Sequence, residues 1–239
     1  MVATVAAGTS ASYYLAQVEY YAGGREPEGR WLLAGPGLDV VAGTPVAPAD
    51  FERLHAAQDR QGRPLLSNDG GRTERVRAYD IAFSAPKEVS VIWGLADAGL
   101  RADIERAQEE AVAAAFRLLD TEAAFCRRGK SGRVREAIQL TVALFRHGES
   151  RPAEHEDGLT FSDVNLHHHG CVIALAQRAD GSFGTPDGKA FFAWKMAAGA
   201  QYHLELSAQL QRLGFAVQAA GSNGMFRIAG VDPGLCQYF

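Results

Sequence analysis

Three consecutive histidines, His167, His168 and His169, sit inside the apolar run LHHHGCVIALAQR (166–178), and this placement limits what the chain can fold into more than any other feature. A short apolar run of this kind reads as a strand. In extended backbone successive side chains point to opposite faces, so His167 and His169 project together while His168 points away. The two co-facial imidazoles stand about 6.6 Å apart along the strand, and one ion cannot be held by both without a third ligand from a neighbouring element. His147, which closes the apolar strand REAIQLTVALFRH (135–147), is that ligand if the two strands pair. Neutral imidazole is the commonest metal ligand, and three of them leave positions open for substrate oxygens. A histidine run can also merely pack or turn, and the run alone does not decide between these readings.

The remaining segments alternate between strand and helix without a regular βαβ rhythm. AGTSASYYLAQVEYYAG (7–23) reads as a helix capped by Ser10 or Ser12 and ending at Gly23-Gly24. Residues 25–50, rich in Gly and Pro, read as surface loop, and 51–61 as a short helix with Phe51, Leu54 and His55 on one side. VRAYDIAFSA (76–85) alternates like a strand. The helix that follows has Ser84 as cap and Pro86 in its first turn, where a missing N–H costs nothing. An apolar stripe of Ile104, Ala107, Ala111, Ala114, Ala115 and Leu118 marks a helix over 100–120. Gly129 and Gly132 make 122–147 a hairpin, and 189–213 is a long helix closed by Gly214. The class expected is α+β: a central, mainly antiparallel sheet carrying the histidines and flanked by helices.

Composition adds exclusions. With 47% hydrophobic and 22% charged residues the chain is neither disordered nor collagen-like. Three scattered cysteines fit a reducing cytosol and neither a disulfide framework nor a four-cysteine zinc site. No basic stretch precedes the short apolar N-terminus and nowhere do 18 apolar residues run together, so neither a signal peptide nor a membrane span is expected. A net charge of −4 speaks against a general nucleic-acid coat protein. The charge is uneven, however: RRGKSGRVR (127–135) holds Arg127, Arg128, Lys130, Arg133 and Arg135 with no acid, whereas 101–122 has three basic and six acidic residues. Such a basic run is either a solvated loop or a phosphate-binding face.

Two tyrosine pairs, Tyr13-Tyr14 and Tyr20-Tyr21, lie seven residues apart in the first expected helix, which places Tyr13 with Tyr20 and Tyr14 with Tyr21. Aromatic stripes usually pack. A phenolate, by contrast, is a nucleophile able to attack phosphorus and hold the product covalently. Its free pKa near 10 calls for a nearby cation or base.

These pieces resemble, in order, the relaxase domains of MobF-type conjugative plasmid proteins, within the HUH endonuclease superfamily. The resemblance rests on SYY…YY, YDIAFSAPKEVSV, the basic hairpin, FRHGESR and DVNLHHHGCVI, and it spans nearly the whole chain. It implies that Tyr13 is the primary nucleophile, Tyr20 the second catalytic tyrosine, and Tyr14 and Tyr21 their companions. It also implies that His147, His167 and His169 hold a metal, and that Asp80 orients a ligating imidazole or acts as general base; a carboxylate accepting an imidazole N–H favours the orienting role. Arg151 would stabilise charge at phosphorus, and the hairpin residues with Lys87 would contact DNA. The implied activity is site- and strand-specific nicking and rejoining of plasmid DNA at a transfer origin, in the bacterial cytoplasm. One divalent ion is implied: Mg²⁺ or Mn²⁺ by family habit, with Zn²⁺, Ni²⁺ or Co²⁺ better suited to an all-imidazole donor set. The expected partners are single-stranded and duplex DNA at the origin, relaxosome accessory proteins and a coupling protein, with the chain itself a monomer.

Three departures stand out. The gap of 19 residues between His147 and His167 is long and includes the acidic RPAEHEDG, read as disordered, whose His155 is a rival third ligand. The chain is expected to be one domain over 1–239 that stops before the DNA-clamping helices of its relatives. His168 stands where a small polar residue is usual. The alternatives are a rolling-circle initiator or single-strand transposase, whose tyrosines usually follow the histidines, a DNA-binding accessory module, and a three-histidine zinc hydrolase.

Overall fold

A computed structural model describes residues 3–8, 27–66, 75–129, 132–154 and 158–238. In chain order these form β1 (Thr4–Gly8), β2 (Arg30–Leu33), α1 (Pro48–His55), β3 (Ala78–Ser84), α2 (Lys87–Leu95), α3 (Ala98–Glu122), β4 (Phe125–Arg128), β5 (Val134–Ala137), β6 (Val142–Glu149), β7 (Ala153–Glu154), β8 (Thr160–Phe161), β9 (Val164–Ile173), β10 (Ala176–Gln177), β11 (Phe183–Gly184), α4 (Gly188–Arg212), β12 (Val217–Ala219), β13 (Phe226–Ile228) and α5 (Pro233–Tyr238).

The histidine-bearing strands do pair. The central sheet runs β1-β3-β9-β6-β2, and every neighbouring pair in it is antiparallel. Strand alternation sorts the side chains into two faces. On one, Ile81, Phe83, Val142, Leu144, Leu166 and Val172 join residues of α3 and α4 in the larger core cluster. On the other, Ala78, Ala143, Phe145, Cys171 and Ile173 pack with Trp31 and with Phe51 and Leu54 of α1. The metal-ligand candidates lie on this second face, beyond the apolar residues. Phe83 and Phe116 meet edge to face at 5.6 Å with no exposed surface, so truncating either to alanine costs about 3–5 kcal/mol.

Several boundaries differ from the sequence expectation. Ala7 and Gly8 belong to β1 rather than to a helix, because they continue the antiparallel pairing with Tyr79 and Ala78. The remainder of that expected helix, with all four tyrosines, lies outside the described residues. Segment 25–50 is not all loop: β2 joins the sheet against β6, and Trp31 is buried in the core. The Gly- and Pro-rich flanks hide this four-residue strand. Ser84 pairs with His167 in β3, and α2 begins after Pro86 without a side-chain cap. The hairpin does not run straight into β6. Ile138 N–H turns back to the Ala124 carbonyl and Leu140 N–H to the Asp120 carboxylate, so β5 and β6 serve different sheets. The acidic segment after His147 pairs β7 with β8; residues 155–157, His155 included, lie outside the described residues. No helix among the described residues is long and apolar enough to cross a membrane.

Candidate metal centre

Register brings the imidazoles together. His147 of β6 stands directly across from His167 of β9, and His169 lies two residues further along the same face. The three ring centroids are 4.9, 5.0 and 5.1 Å apart, a nearly equilateral triangle. One nitrogen from each ring lies within 4.8 Å of the others.

Two rings are locked in orientation. His169 Nδ1 lies 2.9 and 2.8 Å from the Asp80 carboxylate oxygens, and β3 delivers Asp80 by pairing with β9. A carboxylate accepts, so Nδ1 carries a proton and Nε2 is the nitrogen left for a metal. His167 Nδ1 likewise donates to the Asn165 carbonyl at 2.8 Å, leaving its own Nε2 unprotonated. Burial holds His147 down to about 3, with the His169 and His167 rings reinforcing it, and burial also lowers His167. Neutral nitrogen donors converging on one point fit a divalent metal, and three of them leave room for substrate oxygens. No sequence signal pointed to the Asn165 contact, because a backbone carbonyl acts there.

His168 faces the other way. It is 1% exposed and lies across from Arg146, beside a small cavity lined also by Arg30, Glu109 and Leu144. Burial and the nearby Arg146 guanidinium hold it well below the usual histidine range.

The remaining candidates are more dispersed. Arg151 is exposed, just past the end of β6. Lys87 donates to the Val164 carbonyl at 3.1 Å and faces Asp163 at 3.8 Å, which ties α2 to the start of β9. The basic segment does form a hairpin, turning through Gly129 and Gly132 at φ 76° and 63°, values that glycine tolerates. Its charges are partly answered: Arg127 pairs with Asp187 at 2.6 Å, and Arg128 with Asp180 at 2.5 Å and Glu136 at 3.4 Å. Arg135 lies 4.1 Å above the Phe125 ring, Arg133 is exposed, and Lys130 lies outside the described residues.

The family model described as TrwC relaxase matches residues 7–239. The multifunctional conjugation protein TraI of Escherichia coli is 29% identical over 238 residues, covering 94% of this chain, which spans 12% of that protein's length. The TraI of strain K12 matches to the same extent. Among solved structures, the metal-bound complex of the conjugative relaxase TrwC with oriT DNA superposes with a TM-score of 0.79 at 24% identity, over 98% of this chain and 78% of that one. TrwC with mutant oriT DNA gives 0.77 at 25% identity, over 98% and 77%. An antiparallel sheet of this topology with a three-imidazole centre on one face defines a relaxase-type domain. The chain belongs to the TrwC relaxase family.

Proposed function

We propose that this chain nicks and rejoins one strand of plasmid DNA at an origin of transfer through a 5′-phosphotyrosine intermediate. The convergence of His147, His167 and His169, with Asp80 fixing His169, carries this reading, in a chain whose family includes a protein solved with oriT DNA. A DNA phosphodiester resists attack because its own negative charge repels a nucleophile, and a divalent ion held by the three imidazoles would supply Lewis-acid neutralisation of that charge.

The chain's own residues do the rest. Tyr13 Oη, after losing its proton to solvent, bonds to phosphorus as the bond to the 3′ oxygen breaks, and that oxygen takes up a proton. The product is again a phosphodiester, so reversing both bonds rejoins the strand without ATP. Tyr20 performs a second transfer of the same kind, and Tyr14 and Tyr21 accompany the two. Arg151 offers a planar donor fork to the phosphoryl oxygens as negative charge accumulates there. Asp80 acts as a positioning residue, holding His169 in one tautomer. Single-stranded DNA stacks along the domain and the 127–135 hairpin meets the adjoining duplex. Lys87 also contacts the DNA, in exchange for its present partners. Mn²⁺ or Mg²⁺ serves in function, although the donor set also suits Zn²⁺, Ni²⁺ or Co²⁺. The chain works as a monomer in the bacterial cytoplasm beside relaxosome accessory proteins and a coupling protein, and these 239 residues form one relaxase domain.

The test is a labelled oligonucleotide carrying the nick site, incubated with and without EDTA. A protease-sensitive covalent adduct is expected from the wild type and from Tyr14→Phe, and none from Tyr13→Phe or in EDTA. Binding with no adduct in any protein would point to an accessory module. Cleavage without an adduct would point to a hydrolase.

A further inference from the structure

The reverse face of the sheet, behind His147, carries an arrangement that the relaxase reading leaves unused. His147 is flanked by Arg146 and Gly148, whose side-chain positions both point away from the metal and toward the helices. Arg146 forms an ion pair with Glu105 of α3, with both side chains largely withdrawn from solvent. The other oxygen of the same carboxylate accepts the indole N–H of Trp93, from α2, at 2.9 Å. The Trp93 ring in turn fills the space beside Gly148, where a Cβ would come within 2.5 Å of it. One carboxylate therefore fastens both neighbours of a metal-ligand candidate, one through a guanidinium and the other through an indole.

The location adds a reason. Pairing of β6 with β9 is regular from Val142 to His147 and then shifts between His147 and Glu149. At such an irregularity the ladder no longer dictates where a side chain points, so something else must fix it. Ligand atoms need to be held within a few tenths of an ångström to keep their metal geometry. Hydrogen bonds at Nδ1 support His169 and His167, and anchoring both residues that flank His147 restricts the backbone that carries its ring.

We propose that Trp93, Glu105 and Arg146 form a clamp that positions His147 for metal binding. The proposal rests on the three imidazoles being a metal site, and Trp93, Glu105 and Arg146 act on that site only through His147. Gly148 is required because any side chain there would displace the indole. Glu105→Gln leaves Arg146 without its counter-charge, Trp93→Phe deletes only the N–H, and Gly148→Ala pushes the ring away.

The test measures Co²⁺ affinity by calorimetry and the Co²⁺ visible spectrum on the whole chain without DNA, beside thermal unfolding in EDTA. Glu105→Gln should weaken Co²⁺ binding about tenfold, the lower end for residues that support metal ligands, and alter the ligand-field bands. Trp93→Phe should shift both readouts in the same direction by less. In a His147→Ala background neither substitution should change the remaining affinity further. Equal Co²⁺ affinity and spectra in wild type and both variants, with only the melting temperature lowered, would overturn the proposal and leave a purely structural contact. The same losses persisting in the His147→Ala background would overturn it too. A wild type that binds no Co²⁺ would instead sink the metal-site reading on which the clamp depends.

Discussion

The histidine centre and the basic hairpin are both runs of like side chains, yet folding treats them in opposite ways. In the centre, three imidazoles are gathered to about 5 Å between ring centroids. Burial disfavours the charged form of His147 and His167, and the neighbouring rings reinforce this, so these two can share a site without repulsion. In the hairpin the guanidinium charges are permanent, and Arg127, Arg128, Arg133 and Arg135 all stay exposed. Arg127 and Arg128 lean on carboxylates from Asp187, Asp180 and Glu136, and Arg135 lies over an aromatic ring. A cluster that can shed its charge can be drawn in from solvent, whereas one that cannot stays at the surface and is answered by carboxylates and an aromatic ring.

The comparison breaks most sharply at the centre itself. His147→Ala or His169→Ala removes one of three donors and should weaken Co²⁺ binding more than any substitution of a supporting residue, leaving a measurable two-imidazole affinity, and should abolish adduct formation; a variant that still bound the ion at wild-type affinity would show that the triangle is only packing. Asp80→Asn should be milder. Asparagine can present its carbonyl to His169 Nδ1 but lacks the charge that makes the ring a better donor, so metal affinity should fall by about 10-fold to 100-fold. An unchanged affinity in calorimetry would remove Asp80 from the centre.

The centre was legible in the sequence because strand alternation is a strict rule: spacing alone places His167 and His169 on one face, and His147 closes an apolar strand of matching character. The hairpin was legible as a turn with basic flanks, but its neutralisation was not. Asp187 lies 60 positions from Arg127 and Asp180 lies 52 from Arg128, and no local pattern couples residues across such distances. β2 was missed for a different reason, since four apolar-leaning residues between Gly and Pro carry too little periodicity to read. The Trp93 and Glu105 contacts were out of reach as well. They depend on how α2 and α3 dock on the reverse face, and a tryptophan in a helix signals core whatever its N–H is doing.

The neutrality argument can be checked where no metal intervenes. His55 lies on the same face as the centre, packed on Phe51 with its Nε2 3.7 Å from Cys171 Sγ. Burial, with Arg77 and Arg75, pushes its pKa down to about 4. The unfolded chain therefore binds a proton at a higher pH than the folded one. Stability contributed by this group is complete above the unfolded value of 6.5 and is lost as pH falls toward the folded value. Between about pH 7 and pH 5 this amounts to about 2 kcal/mol. Urea unfolding in EDTA should show that loss in the wild type and a correspondingly shallower loss in His55→Gln; identical pH slopes would mean that burial does not keep this ring neutral.

The hairpin offers the smallest effect and the finest distinction. Hydrogen bonds from Ser182 and the Arg128 guanidinium hold the Asp180 carboxyl well below the usual carboxylate range, so it is ionised wherever the protein is folded and competes with any phosphate for Arg128. Asp180→Asn removes the competitor while keeping the shape. If the hairpin lies on DNA, affinity for the oligonucleotide should rise a few-fold at low salt, and the slope of log K against log[salt] should steepen by up to about 1, one more phosphate contact. Arg133→Ala should do the reverse, because Arg133 is exposed and forms no ion pair among the described residues. Affinity and slope unmoved by both substitutions would place the DNA elsewhere, and the ion pairs of Arg127 and Arg128 would then serve the fold alone, answering charges that burial cannot make neutral.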